Sequence, residues 1–210
     1  RDFIVVIGVG SFPLALSVRE NSKIKTFSDL VAATKSPDGV NYSTGGPGTM
    51  AHLAALQLLK AVGGKGTHIP FKGNAPALQS LMAGDVDFMF PATSEALPLM
   101  GNKLRVLALT SEKPLPIFPN VPTMKDLGFT DFTPRLWYAF LVPKGTPAET
   151  VSRIQDAFAQ ATSDPHVQEQ LRAQGYTTDV KSSAEMSAFI KGEAARWKKV
   201  IQENNITSSD

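Results

Sequence analysis

The chain has 210 residues, of which 42% are hydrophobic and 19% charged, and its formal net charge is +2. This balance is typical of a globular protein and argues against a nucleic-acid binder that neutralises phosphates. The absence of cysteine excludes disulfides and thiolate metal sites. No apolar run approaches the roughly 18 residues that a membrane span needs, so direct membrane insertion is not expected.

The chain alternates between strand and helix patterns. Apolar β-formers at 3–9 and 12–18 are followed by a helix at 27–34, a strand at 40–43, a helix at 49–62, a strand at 67–71, a helix at 75–83, a strand at 86–90, a helix at 93–100 and a strand at 104–110. A proline-rich stretch at 113–134 then leads to a strand at 136–142, helices at 147–162 and 165–174, a strand at 176–180 and a last helix at 183–203. This alternation predicts an α/β fold with mostly parallel sheets.

The change of composition near 134–136 predicts a boundary between two lobes. We expect residues 1–16 and 137–210 to form a discontinuous lobe I, and residues 17–136 to form lobe II. The two flanks supply only about three strands, which is thin for a sheet, so lobe I is expected to be incomplete. Arg1 leads straight into an apolar strand with no signal peptide before it, which fits either a mature protein or a fragment. The thin lobe I favours a fragment of a longer protein.

The glycine cluster at 43–49 lies between a predicted strand and a predicted helix. Its glycines permit close approach of a ligand, and the start of the helix presents unpaired N–H groups and a partial positive charge. Hydroxyl groups of Thr44 and Thr49 add donors. Together these features favour a site for a carboxylate or a phosphate. The alternative is an ordinary turn with Thr49 as the helix N-cap.

Two further strand-to-helix junctions lie at 70–74 and 90–94, and ligands gather at such junctions in doubly wound sheets. Lys72 could attract an anion and Phe71 could line a pocket, although a surface lysine and a half-buried aromatic are the simpler alternative. His52 could touch a ligand or could be a packed or capping histidine. Trp137 could close over a ligand at the crossover between lobes or could be a core aromatic.

The sequence contains few residue patterns that indicate catalysis. Neither HExxH nor GxSxG occurs, and Asp85 and Asp87 are better explained as a turn and a strand entry than as an acid–base pair. No metal, cofactor or catalytic residue is expected. Two other hypotheses remain open: the effector-binding domain of a transcriptional regulator, which would need an upstream helix-turn-helix, and an enzyme acting on a small anionic metabolite.

The chain resembles the Bug (TctC) family, the extracytoplasmic receptors of tripartite tricarboxylate transporters, along essentially its whole length. The resemblance rests on Tyr-Ser-Thr-Gly-Gly-Pro-Gly-Thr-x-x-His at 42–52, Pro-Phe-Lys-Gly-Asn-Ala-Pro-Ala-Leu at 70–78, Met-Ala-Gly-Asp-Val-Asp at 82–87, Leu-Arg-Val-Leu-Ala-Leu-Thr-Ser at 104–111, Pro-Asn-Val-Pro-Thr at 119–123 and Pro-Lys-Gly-Thr-Pro at 143–147. Their order and spacing are together quite specific.

The resemblance implies a two-lobed, type II periplasmic-binding-protein-like fold that closes on a small carboxylate, a periplasmic location and membrane transporter subunits as partners. Carried over residue by residue, the ligand-binding set would be Thr44, Gly45, Gly46, Gly48, Thr49, His52, Phe71, Lys72, Gly73, Pro91, Thr93 and Trp137.

The sequence departs from the family pattern in two places. The family's Pro-x-Gly-Gly-x-x-Asp loop, which supplies the opposite wall of the cleft, has no counterpart here. Pro91 stands where many members carry an aspartate, so ligand preference could differ.

Overall fold

A computed structural model describes residues 2–204 and 206, which form strands and helices in alternation. The strands are β1 Phe3–Pro13, β2 Ala15–Arg19, β3 Val40–Thr44, β4 Gly66–Pro70, β5 Leu104–Leu109, β6 Arg135–Pro143 and β7 Thr177–Lys181. The helices are α1 Phe27–Thr34, α2 Met50–Val62, α3 Asn74–Ala83, α4 Thr93–Ala96, α5 Ala148–Ser163, α6 Pro165–Ala173 and α7 Ser183–Glu203. A 3-10 turn at Leu97–Leu99 extends α4, where the sequence predicts one longer helix.

One sheet is built around β2. It pairs antiparallel with β5 on one side, and Ser17 bridges Met89 antiparallel on the other. Phe88 bridges β3 in parallel, and β3 pairs in parallel with β4. The order across this sheet is therefore β5, β2, the 88–89 segment, β3 and β4. All of these segments run in one direction except β2. The two pairings on the β3 side are therefore parallel, as predicted, and the two pairings of β2 are antiparallel.

The predicted strand at 86–90 is reduced to two isolated bridges, at Phe88 and Met89. Asp87 explains the loss of regular pairing. Its carboxylate accepts the amide of Asn41 at 2.7 Å, while the amides of Asp87 and Phe88 both donate to the carbonyl of Asn41. A side chain thus replaces a regular backbone ladder at the entry to the segment.

The second sheet has the order β6, β1, β7, and both pairings of β1 are antiparallel. The prediction of a mostly parallel sheet is wrong here. The chain leaves this sheet along β1 and returns to it along β6 in the opposite direction. A register shift between Gly8 and Gly10 bends β1. As a result β1 extends to Pro13, and the break expected near residue 10 falls at Leu14 instead.

Helix ends follow the expected chemistry. Thr26 and Asp29 form a reciprocal capping box at the start of α1, as predicted. Helix α2 begins after Thr49 and ends at Gly63, whose φ of 63° is left-handed. The main core lies between α2 and the β2–β5 sheet, with Tyr42, Leu58 and Phe88 almost fully buried.

Candidate site at the carboxyl ends of the strands

The junctions after β3 and β4 are in direct contact. The amide of Phe71 donates to the carbonyl of Thr44 at 2.9 Å, and the amide of Gly73 donates to the carbonyl of Gly45 at 3.1 Å. A Cβ placed on Gly45 would lie 3.0 Å from the backbone nitrogen of Asn74. Glycine at position 45 is therefore what allows the two junctions to touch.

The third junction, after the 88–89 segment, is tied to the second through Glu95. The side-chain amide of Asn74 donates to Glu95 Oε1 at 3.1 Å, and the amide of Ala92 donates to Glu95 Oε2 at 2.8 Å. All three junctions thus lie at one edge of the sheet, because the strands before them run in the same direction.

Unpaired backbone donors lie at the starts of the two longer helices of this edge. Within residues 2–204, the amides of Met50 and Ala51 on α2, and of Asn74 and Ala75 on α3, make no hydrogen bond. Such helix-terminal N–H groups carry partial positive charge and favour an anion.

The space in front of the junctions is open. Gly48 has a φ of +73° and Gly73 a φ of +106°, conformations that favour glycine. No atom lies within 4 Å of a Cβ built on either residue. An incoming group could therefore approach the backbone at both positions.

The two threonine hydroxyls of the glycine loop are engaged inside the loop. Thr49 Oγ1 donates to the carbonyl of Gly46 at 2.8 Å and accepts the amide of His52 at 3.4 Å. Thr44 Oγ1 accepts the amide of Gly46 at 3.2 Å and lies 2.6 Å from His68 Nε2. The sequence suggested both hydroxyls as ligand donors. Their bonds assign them instead to fixing the loop.

Two imidazoles lie beneath the loop. The rings of His52 and His68 stack with centroids 3.9 Å apart and planes 13° apart, and Tyr42 stacks on His68 at 5.2 Å. His52 Nδ1 accepts the amide of Gly48 at 3.1 Å. Burial lowers the pKa of His52, and burial followed by the proximity of His52 lowers the pKa of His68 to about 4. Both rings are therefore neutral at pH 7.

The part played by His68 was not predicted. Strand alternation contained the signal, because Tyr42 lies opposite His68 in the β3–β4 register and points to the same face as Thr44. The sequence alone did not give that register, so the stack could not be inferred from it.

Other predicted site residues lie close to the edge but are less available. Phe71 is half-buried against the core cluster that contains Ala77 and Leu81, and Lys72 is exposed. Pro91 is buried, and its carbonyl accepts the amide of Ala15 at 2.9 Å.

Thr93 joins the two sheets. It is fully buried, and its hydroxyl donates to the carbonyl of Gly175, the residue two positions before β7, at 2.9 Å. The third junction is thus in contact with the part of the chain that belongs to the β1–β6–β7 sheet.

Trp137 lies on β6 and packs edge-to-face on Phe189 of α7, with ring centroids 5.8 Å apart. It also lines a cavity of about 520 Å³ together with Met50, the first residue of α2. Trp137 therefore shares a cavity with the helix start that carries unpaired amides.

Known proteins resemble this chain in both sequence and fold. It is 31% identical to the UPF0065 protein in the tcbD-tcbE intergenic region of Pseudomonas sp. (strain P51), over 100% of this chain and 63% of that protein. Protein BugT of Bordetella pertussis is 31% identical over 97% of this chain and 63% of its own length. The chain thus spans less than two thirds of these curated relatives.

Among solved structures, R. palustris Rpa4515 with adipate superposes with a TM-score of 0.87 at 27% identity, covering 98% of this chain and 70% of that one. The periplasmic binding protein BugD gives 0.83 at 26%, covering 97% and 70%. MatC from Rhodopseudomonas palustris with bound malate gives 0.79 at 25%, covering 95% and 69%. The fold is that of a periplasmic binding protein.

The sequence matches the tripartite tricarboxylate transporter family receptor (TctC) over residues 1–206. The chain belongs to this family, as the motifs predicted. Within the described residues, none of the helices combines the length and hydropathy required to cross a lipid bilayer.

Proposed function

We propose that this chain is the ligand-binding part of an extracytoplasmic solute-binding protein that captures a small carboxylate. The observation that carries the proposal is the convergence of unpaired amides at the starts of α2 and α3 around the open glycine loop. Backbone amides at helix starts bind an anion through fixed dipoles and need no catalytic group.

Several observations favour a carboxylate as the ligand of this loop. The structures with adipate and malate that resemble this chain support the same class of ligand. Lys72 adds an exposed cation beside the second junction. His52 and His68, the ionisable side chains packed against the loop, are engaged in holding it, which favours capture over turnover.

The two sheets support a two-lobed arrangement, with residues 1–16 and 137–210 in lobe I and residues 17–136 in lobe II. Trp137, on the lobe I side, would then close over a ligand held by the lobe II amides. In the whole protein, which we place in the periplasm, this closure would present the loaded receptor to the membrane subunits of a tripartite tricarboxylate transporter. Membership of the receptor family supports that partnership.

A thermal-shift screen of the full-length protein against dicarboxylates, amino acids and aromatic acids tests the proposal. A true ligand raises Tm because it binds only the folded protein. A ligand concentration of one hundred times its Kd stabilises the fold by about 2.7 kcal/mol. The methyl ester of each active acid, esterified at every carboxyl group, is the matched control, because it keeps the carbon chain and removes the carboxylate charge. Failure of every acid in the panel to raise Tm would contradict carboxylate capture.

A pair of glycine variants tests the position of the site. Gly48→Ala and Gly63→Ala introduce a methyl group at similar positive φ, +73° and +63°, and neither methyl group meets an atom within 4 Å. Both should cost similar backbone strain, about 1 kcal/mol. Only Gly48→Ala places the methyl group where the ligand would lie, since Gly63 is at the far end of α2. Gly48→Ala should therefore weaken binding at least tenfold, while Gly63→Ala leaves affinity unchanged. An equal change in affinity in the two variants would mean that the ligand does not bind at the glycine loop.

A further inference from the structure

Two histidines hold the glycine loop at residues 43–49, and each of them fixes one backbone amide of the loop. The amide of Gly48 donates directly to His52 Nδ1 at 3.1 Å. The amide of Gly46 donates to Thr44 Oγ1, which is itself 2.6 Å from His68 Nε2. Both glycines have positive φ, so these bonds hold the turn in the conformation that keeps its outer face open.

The hydrogen bond to Gly48 specifies the protonation state of His52. An imidazole nitrogen accepts a hydrogen bond only when it carries no proton, so this contact requires the neutral ring with its proton on Nε2. A second proton would place two donors, the Gly48 amide and Nδ1–H, against each other.

The surroundings of the pair oppose charge. Tyr42 from β3 stacks on both rings, with centroids 6.2 Å from His52 and 5.2 Å from His68, and Phe88 stacks on Tyr42 with centroids 5.3 Å apart. Of the described titratable side chains, Tyr42 and the partner histidine are the ones in ring contact with each imidazole, and burial raises the pKa of Tyr42 to about 12. Neither neighbour offers a negative charge near neutral pH.

We infer that the stacked His52–His68 pair positions the anion-binding loop, and that protonation of the pair releases the loop and weakens anion capture in acid. His68, outside the predicted ligand-binding set, acts as a positioning residue through Thr44. The consequence for capture rests on the proposed function, whereas the coupling of the pair to the loop does not.

Two effects of protonation compete. A charge on His52 would attract an anion, but it also removes the acceptor that holds the Gly48 amide. Fixed dipoles bind only while they are held in place. Loop release is therefore expected to dominate as pH falls from 6.5 toward 4, because the pKa of His52 lies below 6.5 and the pKa of His68 is about 4.

The coupling is tested without ligand by NMR on the full-length 15N-labelled protein. The Gly48 amide should shift with the same midpoint as the His52 ring, below pH 6.5. His52→Asn supplies a side-chain oxygen in place of Nδ1 but no titrating group, and should abolish the Gly48 transition. His166→Gln, on the exposed start of α6, is the control and should leave it intact. A Gly48 transition that survives in His52→Asn would overturn the inference.

The role of His68 is tested by two variants. His68→Phe keeps the stack and removes the hydrogen bond to Thr44, whereas His68→Gln restores a polar group near Nε2. Amide exchange at Gly46 should accelerate at least tenfold in the Phe variant and return toward the parent rate in the Gln variant. A parent-like exchange rate in the Phe variant would show that His68 contributes packing only.

Calorimetry with adipate then measures capture at the two ends of the window. Adipate itself takes up protons in acid, but the comparison of the parent with His52→Asn cancels that effect. The parent should lose about tenfold more affinity than His52→Asn. Identical profiles, or stronger parent binding in acid, would overturn loop release. An absence of adipate binding at every pH would count against the proposed ligand class, while the amide titration still decides the positioning role.

Discussion

Replacing Gly45 with alanine tests whether the first two junctions touch as the structure describes. The added Cβ would lie 2.5 Å from Asn74 Oδ1, 3.0 Å from the Asn74 nitrogen and 3.1 Å from the carbonyl carbon of Gly73. Rotation of the Asn74 side chain does not relieve the clash, because its amide is bonded to Glu95 and the other two atoms are backbone. The junctions must therefore separate, which strains or breaks the bond from the Gly73 amide to the Gly45 carbonyl.

Such overpacking costs about 1 to 3 kcal/mol, which in a chain of this size lowers Tm by roughly 2 to 12 °C. Differential scanning calorimetry of Gly45→Ala measures the fall. Gly192→Ala is the control: it lies on an exposed turn of α7 with no atom within 4 Å of its Cβ, and should stabilise by roughly 0.5 to 1 kcal/mol. An unchanged Tm in Gly45→Ala would mean that the two junctions are not in contact, and the convergence argument would fail.

Three further outcomes are expected. Thr49→Val removes the α2 N-cap and the bond to the Gly46 carbonyl, so it should cost about 1 kcal/mol of stability and, by loosening the loop, weaken carboxylate binding by about 1 kcal/mol or more. Unchanged affinity by calorimetry would show that the Thr49 hydroxyl does not hold the loop for binding. Thr93→Val leaves the Gly175 carbonyl without its partner and should cost about 1 to 3 kcal/mol in urea unfolding; a change below about 0.5 kcal/mol would contradict the contact. The pKa of His68 is lowered in the folded protein, so the unfolded chain binds more protons than the folded protein between pH 6.5 and 4. The free energy of unfolding should therefore be highest above pH 6.5 and fall as the pH falls toward 4. Urea midpoints that stay level across that window would refute this pH dependence.

Much of the fold could be predicted from hydrophobic periodicity, and the exceptions have identifiable causes. Helix α1 was predicted to within a residue because Thr26 and Asp29 form a local capping box. The direction of β1 could not be predicted, because its partners on β6 and β7 are more than a hundred residues away. Pairing over that distance leaves no local pattern in the sequence.

The site shows the same division. The glycines at 45, 46 and 48 predicted a backbone that a ligand can approach. The order of strands and helices predicted the junctions at 70–74 and 90–94. The side-chain assignments were harder. Each threonine hydroxyl could serve a ligand or the loop, and only the hydrogen bonds of Thr44 and Thr49 assign both to the loop.

The proposed site would bind its anion through peptide dipoles, which explains why so many polar groups of this loop serve the loop itself. A lysine or arginine attracts an anion over a range of positions, because its charge acts in all directions. Peptide dipoles act only along the N–H axis and lose their effect when the backbone turns. A site made of amides must therefore be held rigid by its own contacts. Thr44, Thr49, His52 and His68 make those contacts here, and each holds a glycine of the loop directly or through one intermediate. On this reasoning, substitutions behind the loop should impair capture about as much as substitutions on its open face.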